Sequence, residues 1–150
     1  MKRVLLVGLD PETVDFSDPA LPPGMNAEKI HAGVRAALAD MAERGWQAEN
    51  CFIIPDETAV SVVERRLAEA RYDCVVIGAG VRLPPSRLVL FEALVNAIHR
   101  AAPSAAIAFN TRPEDTGTTS AMRSTAVQAC MTSGMVRRAS NSGFRKPSGL

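Results

Sequence analysis

The chain has 150 residues, enough for one domain with a substantial core, and 47% of them are hydrophobic. With a net charge of +1, the chain lacks the excess of basic residues that is typical of nucleic-acid-binding proteins. No apolar run approaches the roughly 20 residues that a membrane-spanning helix needs. We therefore expect a globular domain that binds neither nucleic acid nor membrane.

The first ten residues pair a basic start with an apolar stretch, as signal peptides do. The stretch is short, ends at Asp10 and has no small-residue cleavage site after it, so we interpret it as a buried strand. The expected location is then cytoplasmic. The three cysteines form no C-x-x-C pair and are expected to act as small apolar side chains in a reducing compartment.

Four apolar segments predict β-strands. They are largely continuous rather than alternating, which is typical of strands buried on both faces of a parallel sheet. The predicted strands are residues 4–9, 51–54, 74–77 and 105–109.

Helical spacing of apolar residues fills the intervals between these strands. Asn26 is expected to cap the first helix and Gly45 to end it. The second helix is predicted at residues 58–71. Pro84 and Pro85 suit the first turn of a third helix, and a fourth is predicted at about 119–131.

Alternating strands and helices predict a parallel sheet with helices on both faces. The most apolar strands, the first and third, should be adjacent at its centre, which gives strand order 2-1-3-4. This is a flavodoxin-like three-layer α/β sandwich of four strands, over residues 1–131. Residues 132–150 carry four basic residues and no acidic one, and their composition predicts a disordered tail.

Ligands of such sheets bind beyond the carboxyl ends of the strands, where the strand order reverses. Here the reversal falls between the first and third strands. Residues 11–25, a long loop rich in proline and acidic residues, should close over this point, and Phe16 could pin it to the body. The candidate site residues are Asp10, Phe16, Gly78, Ala79, Gly80, Arg82, Asn110 and Thr111.

The glycines at 78 and 80 would let backbone N–H groups approach an anion, which Arg82 could grip through two hydrogen bonds. Alternatively, the glycines only permit a sharp turn and Arg82 is solvated. A dinucleotide fingerprint would need a further glycine where Leu83 stands, and no phosphate-binding G-x-x-x-x-G-K-S/T segment occurs.

Asp10 and Glu12 follow the first strand, where receiver domains of two-component signalling carry an acidic metal-binding pair. Such domains resemble the chain in predicted fold. Their phosphoacceptor aspartate belongs at the end of the third strand, which here is Gly78-Ala79, so phosphoryl acceptance is disfavoured. His31 and His99 fit no metal motif, and we expect neither a metal nor a cofactor.

Three stretches resemble a group of small bacterial flavodoxin-like α/β proteins that have no assigned activity. They are residues 7–18 (VGLDPETVDFSD), 72–82 (YDCVVIGAGVR) and 109–116 (FNTRPEDT). The resemblance covers roughly residues 1–116 and implies a stand-alone α/β domain. The three stretches coincide with the three predicted site loops.

The sequence thus favours a domain that binds a small anionic metabolite at the switch point. The first alternative is a small hydrolase or isomerase with Asp10 as general base, although no nucleophile–base pair is visible. The second is a protein-interaction module without catalysis, using the Phe16 loop. Whether the chain is an enzyme, and whether it forms a homo-oligomer, stay open at this point.

Overall fold

The computed structural model describes residues 1–110. The predicted fourth helix, the basic tail and Thr111 lie outside the described residues. The elements in chain order are β1 (Arg3–Leu9), α1 (Ala27–Glu43), β2 (Gln47–Ile53), α2 (Ala59–Glu69), β3 (Cys74–Ile77), α3 (Ala79–Arg82), α4 (Leu88–Ala101) and β4 (Ala106–Phe109).

The four strands form one parallel sheet in the order β2-β1-β3-β4, which confirms the predicted order. Val4 of β1 lies between Ala48 of β2 and Cys74 of β3, and Cys74 in turn lies beside Ala106 of β4. The two central strands are those whose apolar residues run without interruption, because only central strands are covered on both faces and along both edges.

Helices cover both faces of the sheet, so the architecture is a three-layer α/β sandwich. On one face, Leu5 and Val75 pack in a core with Leu94 and Ile98 of α4, and α2 contributes Val63 to the same core. On the other face, side chains of β1 and β3 pack against α1. This second core contains Val4, Leu6, Val76, Ala37 and Met41.

Both ends of α1 match their sequence predictions. The Asn26 side chain caps the helix, since its Oδ1 accepts a hydrogen bond from the N–H of Lys29 at 2.8 Å. At the other end, Gly45 adopts a φ of +77°, a left-handed conformation that disfavours other residues. Its N–H donates to the Ala42 carbonyl at 2.9 Å and closes the last turn.

The third predicted helix begins later than Pro84, and an unpredicted short helix precedes it, so the segment after β3 is divided in two. The chain forms the short α3 directly after β3, then a 3-10 turn at Pro85–Arg87, and only then α4. The division occurs at Pro84, which is extended with φ −64° and ψ 127°. A residue that precedes a proline is sterically disfavoured in helical conformation, and Pro84 precedes Pro85. β2 also begins earlier than predicted, at Gln47 rather than at Cys51.

A polar cluster lies at the amino end of the sheet. Glu49 of β2 accepts hydrogen bonds from the guanidinium of Arg3 and, at 3.0 Å, from the Tyr72 hydroxyl. Arg66 of α2 lies 4.0 Å from the same carboxylate. The Arg3 hydrogen bond holds the pKa of Glu49 below its ordinary value of 4.5.

Two cysteines fall within the described residues. Cys51 is a buried free thiol, and burial raises its pKa. This fits the expectation of a small apolar side chain. Cys74 is also buried, and it packs in the core on the α1 face of the sheet.

Candidate functional site

A cavity of about 360 Å³ opens at the carboxyl edge of the sheet, on the face covered by α1. Its volume lies within the range of small-molecule sites. The sheet supplies one wall from β1, β2 and β3, and α1 supplies a second through Ile30, Val34 and Ala37. The cavity therefore lies at the strand-order reversal, where the sequence predicts a ligand.

The long loop between β1 and α1 forms a third wall. Residues 20–25 line the cavity together with Val14. The loop is folded by successive Asx turns: the Asp15 carboxylate accepts from Ser17, and the Asp18 carboxylate accepts from the N–H of Ala20. The predicted loop is thus folded into turns and forms part of the cavity wall.

Gly24 and Lys29 join this loop to α1. Gly24 has a φ of +76°, so its backbone turns in a direction that a side chain would hinder. Its carbonyl accepts a hydrogen bond from the Lys29 ammonium at 2.7 Å. Both residues line the cavity. Among the described lining residues, Lys29 has the one formally charged side chain.

Asp10 stands at the carboxyl end of β1, as expected, but it does not belong to the described cavity lining. Its carboxylate accepts from the N–H of Glu12 at 3.0 Å and caps the 3-10 turn Pro11–Thr13. Glu12 in turn lies 3.1 Å from Nε2 of His31 on α1. The acidic pair therefore folds the start of the loop and fastens it to α1.

The segment Gly78-Ala79-Gly80 lines the cavity from the end of β3, together with Asn110 from the end of β4. The N–H of Gly78 donates to the Val7 carbonyl at 2.8 Å. The N–H of Ala79 donates to Oδ1 of Asn110 at 3.0 Å. The structure thus brings four predicted site residues together, and the backbone N–H groups of Gly78, Ala79 and Asn110 are already bonded within the protein.

The structure places the predicted anion-binding residue Arg82 outside the described cavity wall. It is absent from the described cavity lining, and its Nη2 donates to the backbone carbonyl of Asn110 at 3.1 Å. Its guanidinium also lies over the Phe109 ring, 5.6 Å from the ring centre. In this arrangement Arg82 fastens the end of β4 to α3. Phe16 is half-buried in the loop and likewise lines no part of the described cavity wall.

Two polar residues of the cavity, Lys29 and Asn50, are not among the sequence-predicted site residues. Asn50 lies in the part of β2 that extends beyond the predicted strand. Strand alternation could have identified it, because Ala48, Asn50 and Phe52 share one face of β2. Lys29 could have been found from its place in the first turn of α1, next to the loop. The side chain of Asn50 has no hydrogen-bond partner among the described residues.

Apart from Lys29, Asn50 and Asn110, the side chains of the described wall are apolar and come from the sheet, α1 and the loops. Residues 1–110 bring together no group of three or more histidine, cysteine, aspartate or glutamate side chains that could hold a metal ion. Chemically, the arrangement suits a small organic molecule that keeps an apolar body away from water and meets a few polar groups at fixed points.

No protein-family model matches this chain, and a search of curated proteins finds no match either. The resemblance to small bacterial α/β proteins therefore stays a prediction. In the part of the chain that the structure describes, no helix combines the length and the apolar character needed to cross a bilayer.

Proposed function

We propose that this protein binds a small organic anion in the cavity at the switch point of its sheet. The acid group pairs with Lys29, and an apolar body fills the remaining space. The observation that carries the proposal is a single cationic side chain in an apolar, ligand-sized cavity whose described lining contains no acidic residue.

The local structure around Lys29 supports an anion at this point. An ammonium has three N–H donors, and the Gly24 carbonyl uses one of them. Lys29 also lies in the first turn of the 17-residue α1, where the helix dipole favours negative charge. A carboxylate or phosphate placed here would meet both the ammonium and the positive end of the helix.

This proposal moves the anion from Arg82 to Lys29. The sequence favours Arg82 because it follows the glycines of β3. The guanidinium instead bonds the Asn110 carbonyl, and releasing it would free the end of β4. Lys29 meets the same chemical need without breaking a contact between strands.

The interaction-module alternative has one observation in its favour. Leu83, just after α3, and Leu88 and Val89, at the start of α4, are exposed by 55%, 53% and 79%. Exposed large apolar side chains are a feature of protein contact surfaces. The hydrolase or isomerase alternative has less support, since the Asp10 carboxylate is engaged in a turn away from the described lining.

Calorimetry with phenylpropionate and its neutral primary amide tests the proposal. We expect the acid to bind more tightly than the amide to the unaltered protein. In Lys29→Met, the acid should bind about tenfold more weakly, because a charge-assisted hydrogen bond contributes about 1.5–3 kcal/mol. The amide should bind both proteins alike, and Lys29→Arg should retain the preference for the acid.

Arg65→Gln is the matched control, since Arg65 is an exposed cation on α2 and outside the described lining. It should bind the acid as the unaltered protein does. Equal affinity for acid and amide, or acid binding indifferent to Lys29→Met, would contradict the proposal and leave the interaction module as the better interpretation.

A further inference from the structure

Gly8 stands near the carboxyl end of the central strand β1 and lines the cavity. Along β1, Val4 and Leu6 direct their side chains into the core that packs against α1. Side chains on one face of a strand recur at every second residue, so the position of Gly8 faces the same side. The strand therefore reaches the cavity at a position that has no side chain.

No contact within residues 1–110 requires a glycine at this position. Gly8 is not among the described glycines that have a positive φ, so its backbone conformation is open to other residues. A Cβ built on it would meet no heavy atom of the described chain within 4 Å. The strand is also regular there, because Gly8 pairs in register with Phe52 of β2. Neither strain, nor crowding, nor a bulge therefore explains the glycine.

A glycine inside a strand is unfavourable unless something uses the space beside it. It gives up side-chain packing, and it loses more conformational freedom on folding than alanine does. Strand glycines therefore often mark a point where a ligand or another backbone approaches closely. The part of the chain that the structure describes brings no atom into the space beside Gly8, which belongs to the cavity. This observation points to a ligand in that space.

The neighbouring strand β3 repeats the arrangement and widens the area of bare backbone. Cys74 and Val76 of β3 pack in the same core as the side chains of β1, and the next residue on that face is Gly78. A Cβ at Gly78 would lie 3.7 Å from the Cα of Gly8, so the two glycines are adjacent. Two strands about 4.8 Å apart thus present only peptide backbone at this part of the cavity wall.

Side chains bound this bare backbone on two sides. Leu6 and Val76 line the cavity on its amino-terminal side, and Phe52 lines it on the side of β2. Because no side chain projects from the area between them, a flat ring can contact it over its whole face, which increases the dispersion attraction. A puckered or branched group would touch the same area with only a few atoms. The geometry therefore favours a flat ring.

We infer that Gly8 is the size-determining residue of the cavity, and that the ligand is an acid whose flat aromatic ring lies over the backbone at Gly8 and Gly78. This inference rests on the proposed function, because it takes the acid group to lie at Lys29. It assigns a position and a shape to the apolar body of the ligand. Straight-chain acids and acids with a puckered ring are then poorer ligands.

Phenylpropionate and cyclohexylpropionate are suitable probes, since they share the acid group and the carbon skeleton and differ in the planarity of the ring. In titrations followed by protein NMR, we expect the phenyl compound to bind the unaltered protein about tenfold more tightly. Its ring current should also move the Hα signals of Gly8 and Gly78 upfield, which the cyclohexyl ring cannot do. Lys29→Met should weaken both probes and keep their ratio.

Gly8→Ala and Gly8→Val fill the space in two steps. We expect the affinity for phenylpropionate to fall about tenfold in Gly8→Ala and further in Gly8→Val, because the added methyl groups occupy the place of the ring. Propionate, which keeps the acid group and has no ring, should bind all three proteins alike. Urea denaturation should show no loss of stability in Gly8→Ala, since the new Cβ meets no described atom within 4 Å.

Ala68→Val is the matched control for added side-chain volume. Ala68 is exposed on α2 and lies outside the described cavity lining. The variant should retain both the affinity for phenylpropionate and the upfield shifts of the glycine signals.

The two proposals fail in different ways. If neither ring acid binds the unaltered protein, or if Lys29→Met leaves their binding unchanged, the proposed function fails and the inference fails with it. If phenylpropionate binds through Lys29 but is indifferent to both Gly8 variants, the acid site remains and the inference is overturned.

Two further results would also overturn the inference while the acid site remains. Equal affinity for the two ring acids would mean that the bare backbone does not select a flat ring. A loss of propionate binding in Gly8→Ala as large as the loss of phenylpropionate binding would mean that the variant disturbs the acid site at Lys29. The role of Gly8 would then not be to set the size of the ligand.

Discussion

The two glycines that follow β3 differ in the space that the fold leaves beside them. Neither has a positive φ among the described glycines, so conformational freedom is not what requires them. A Cβ on Gly78 would lie 3.3 Å from the Val7 carbonyl oxygen, which accepts the N–H of Gly78 itself. Among residues 1–110, a Cβ on Gly80 would meet only Leu9 Cδ1, at an ordinary 3.7 Å.

This difference predicts opposite effects of one substitution at the two positions. Gly78→Ala should lower the free energy of unfolding by about 1–3 kcal/mol, because the crowding atom belongs to the backbone of a central strand. Gly80→Ala, within α3, should leave stability unchanged or raise it by about 0.5–1 kcal/mol. Urea denaturation of both variants measures these changes. Equal effects would show that the close contact with the Val7 carbonyl at Gly78 does not determine the stability of the variant.

The same comparison separates what each residue contributes to the site. The sequence presents Gly78, Gly80 and Arg82 as one anion-binding unit, since they adjoin one another. In the folded chain, Gly78 admits a close strand contact, whereas Arg82 bonds the end of β4. Residues that adjoin in the sequence thus have different structural roles, and the sequence pattern does not reveal this difference.

At the scale of elements, the junction between the long loop and α1 determines where Lys29 stands. Asn26 caps the helix through the N–H of Lys29 itself, and the Lys29 ammonium reaches back to the Gly24 carbonyl. Because α1 begins at the edge of the cavity, its first turn faces both the loop and the ligand space.

Loss of the cap should therefore weaken both stability and binding. Asn26→Ala is expected to lower the free energy of unfolding by about 1 kcal/mol, and fraying of the first turn should weaken the acid probe. Asn26→Ser, which keeps an acceptor oxygen, should lose less of each. Denaturant titration and calorimetry measure the two effects. A fully stable Asn26→Ala variant would mean that the loop alone positions the first turn.

The sequence predicts the elements well where local chemistry is decisive. Asn26 and Gly45 bound α1 as expected, because a cap and a left-handed turn are properties of single residues. The short helix α3 before Pro84 was not predicted, and α4 begins at Leu88 rather than at Pro84. Two consecutive prolines are compatible with a helix start and also with an extended connection. In the structure Pro84 is extended, and α3 packs against β1.

At the scale of the whole molecule, polar cross-links hold the end of the sheet opposite to the cavity. Glu49 links three parts of the fold: Arg3 of β1, Tyr72 before β3 and Arg66 of α2. The pKa of Glu49 is lowered, first by the Arg3 hydrogen bond. A carboxyl whose pKa is lower when folded contributes stability above its unfolded pKa and loses it as the pH falls through its folded pKa.

Glu49→Gln should accordingly reduce stability near neutral pH, by about 1 kcal/mol, since the ion pair is partly exposed and screened. It should also flatten the decline in unfolding free energy below about pH 4.5, the ordinary pKa of Glu49. Urea titrations across this range measure the slope. Exposed Glu57→Gln is the control and should keep the original slope. An unchanged slope in Glu49→Gln would show that other carboxyl groups cause the acid sensitivity.

By itself the sequence determined the layered architecture, the strand order and the edge of the sheet at which a cavity lies. These follow from uninterrupted apolar runs in β1 and β3, because hydrophobic burial selects central strands. Only the tertiary structure decided which side chains face that cavity. Lys29 and Asn50 line it while Arg82 does not, since direction depends on contacts between residues far apart in the chain.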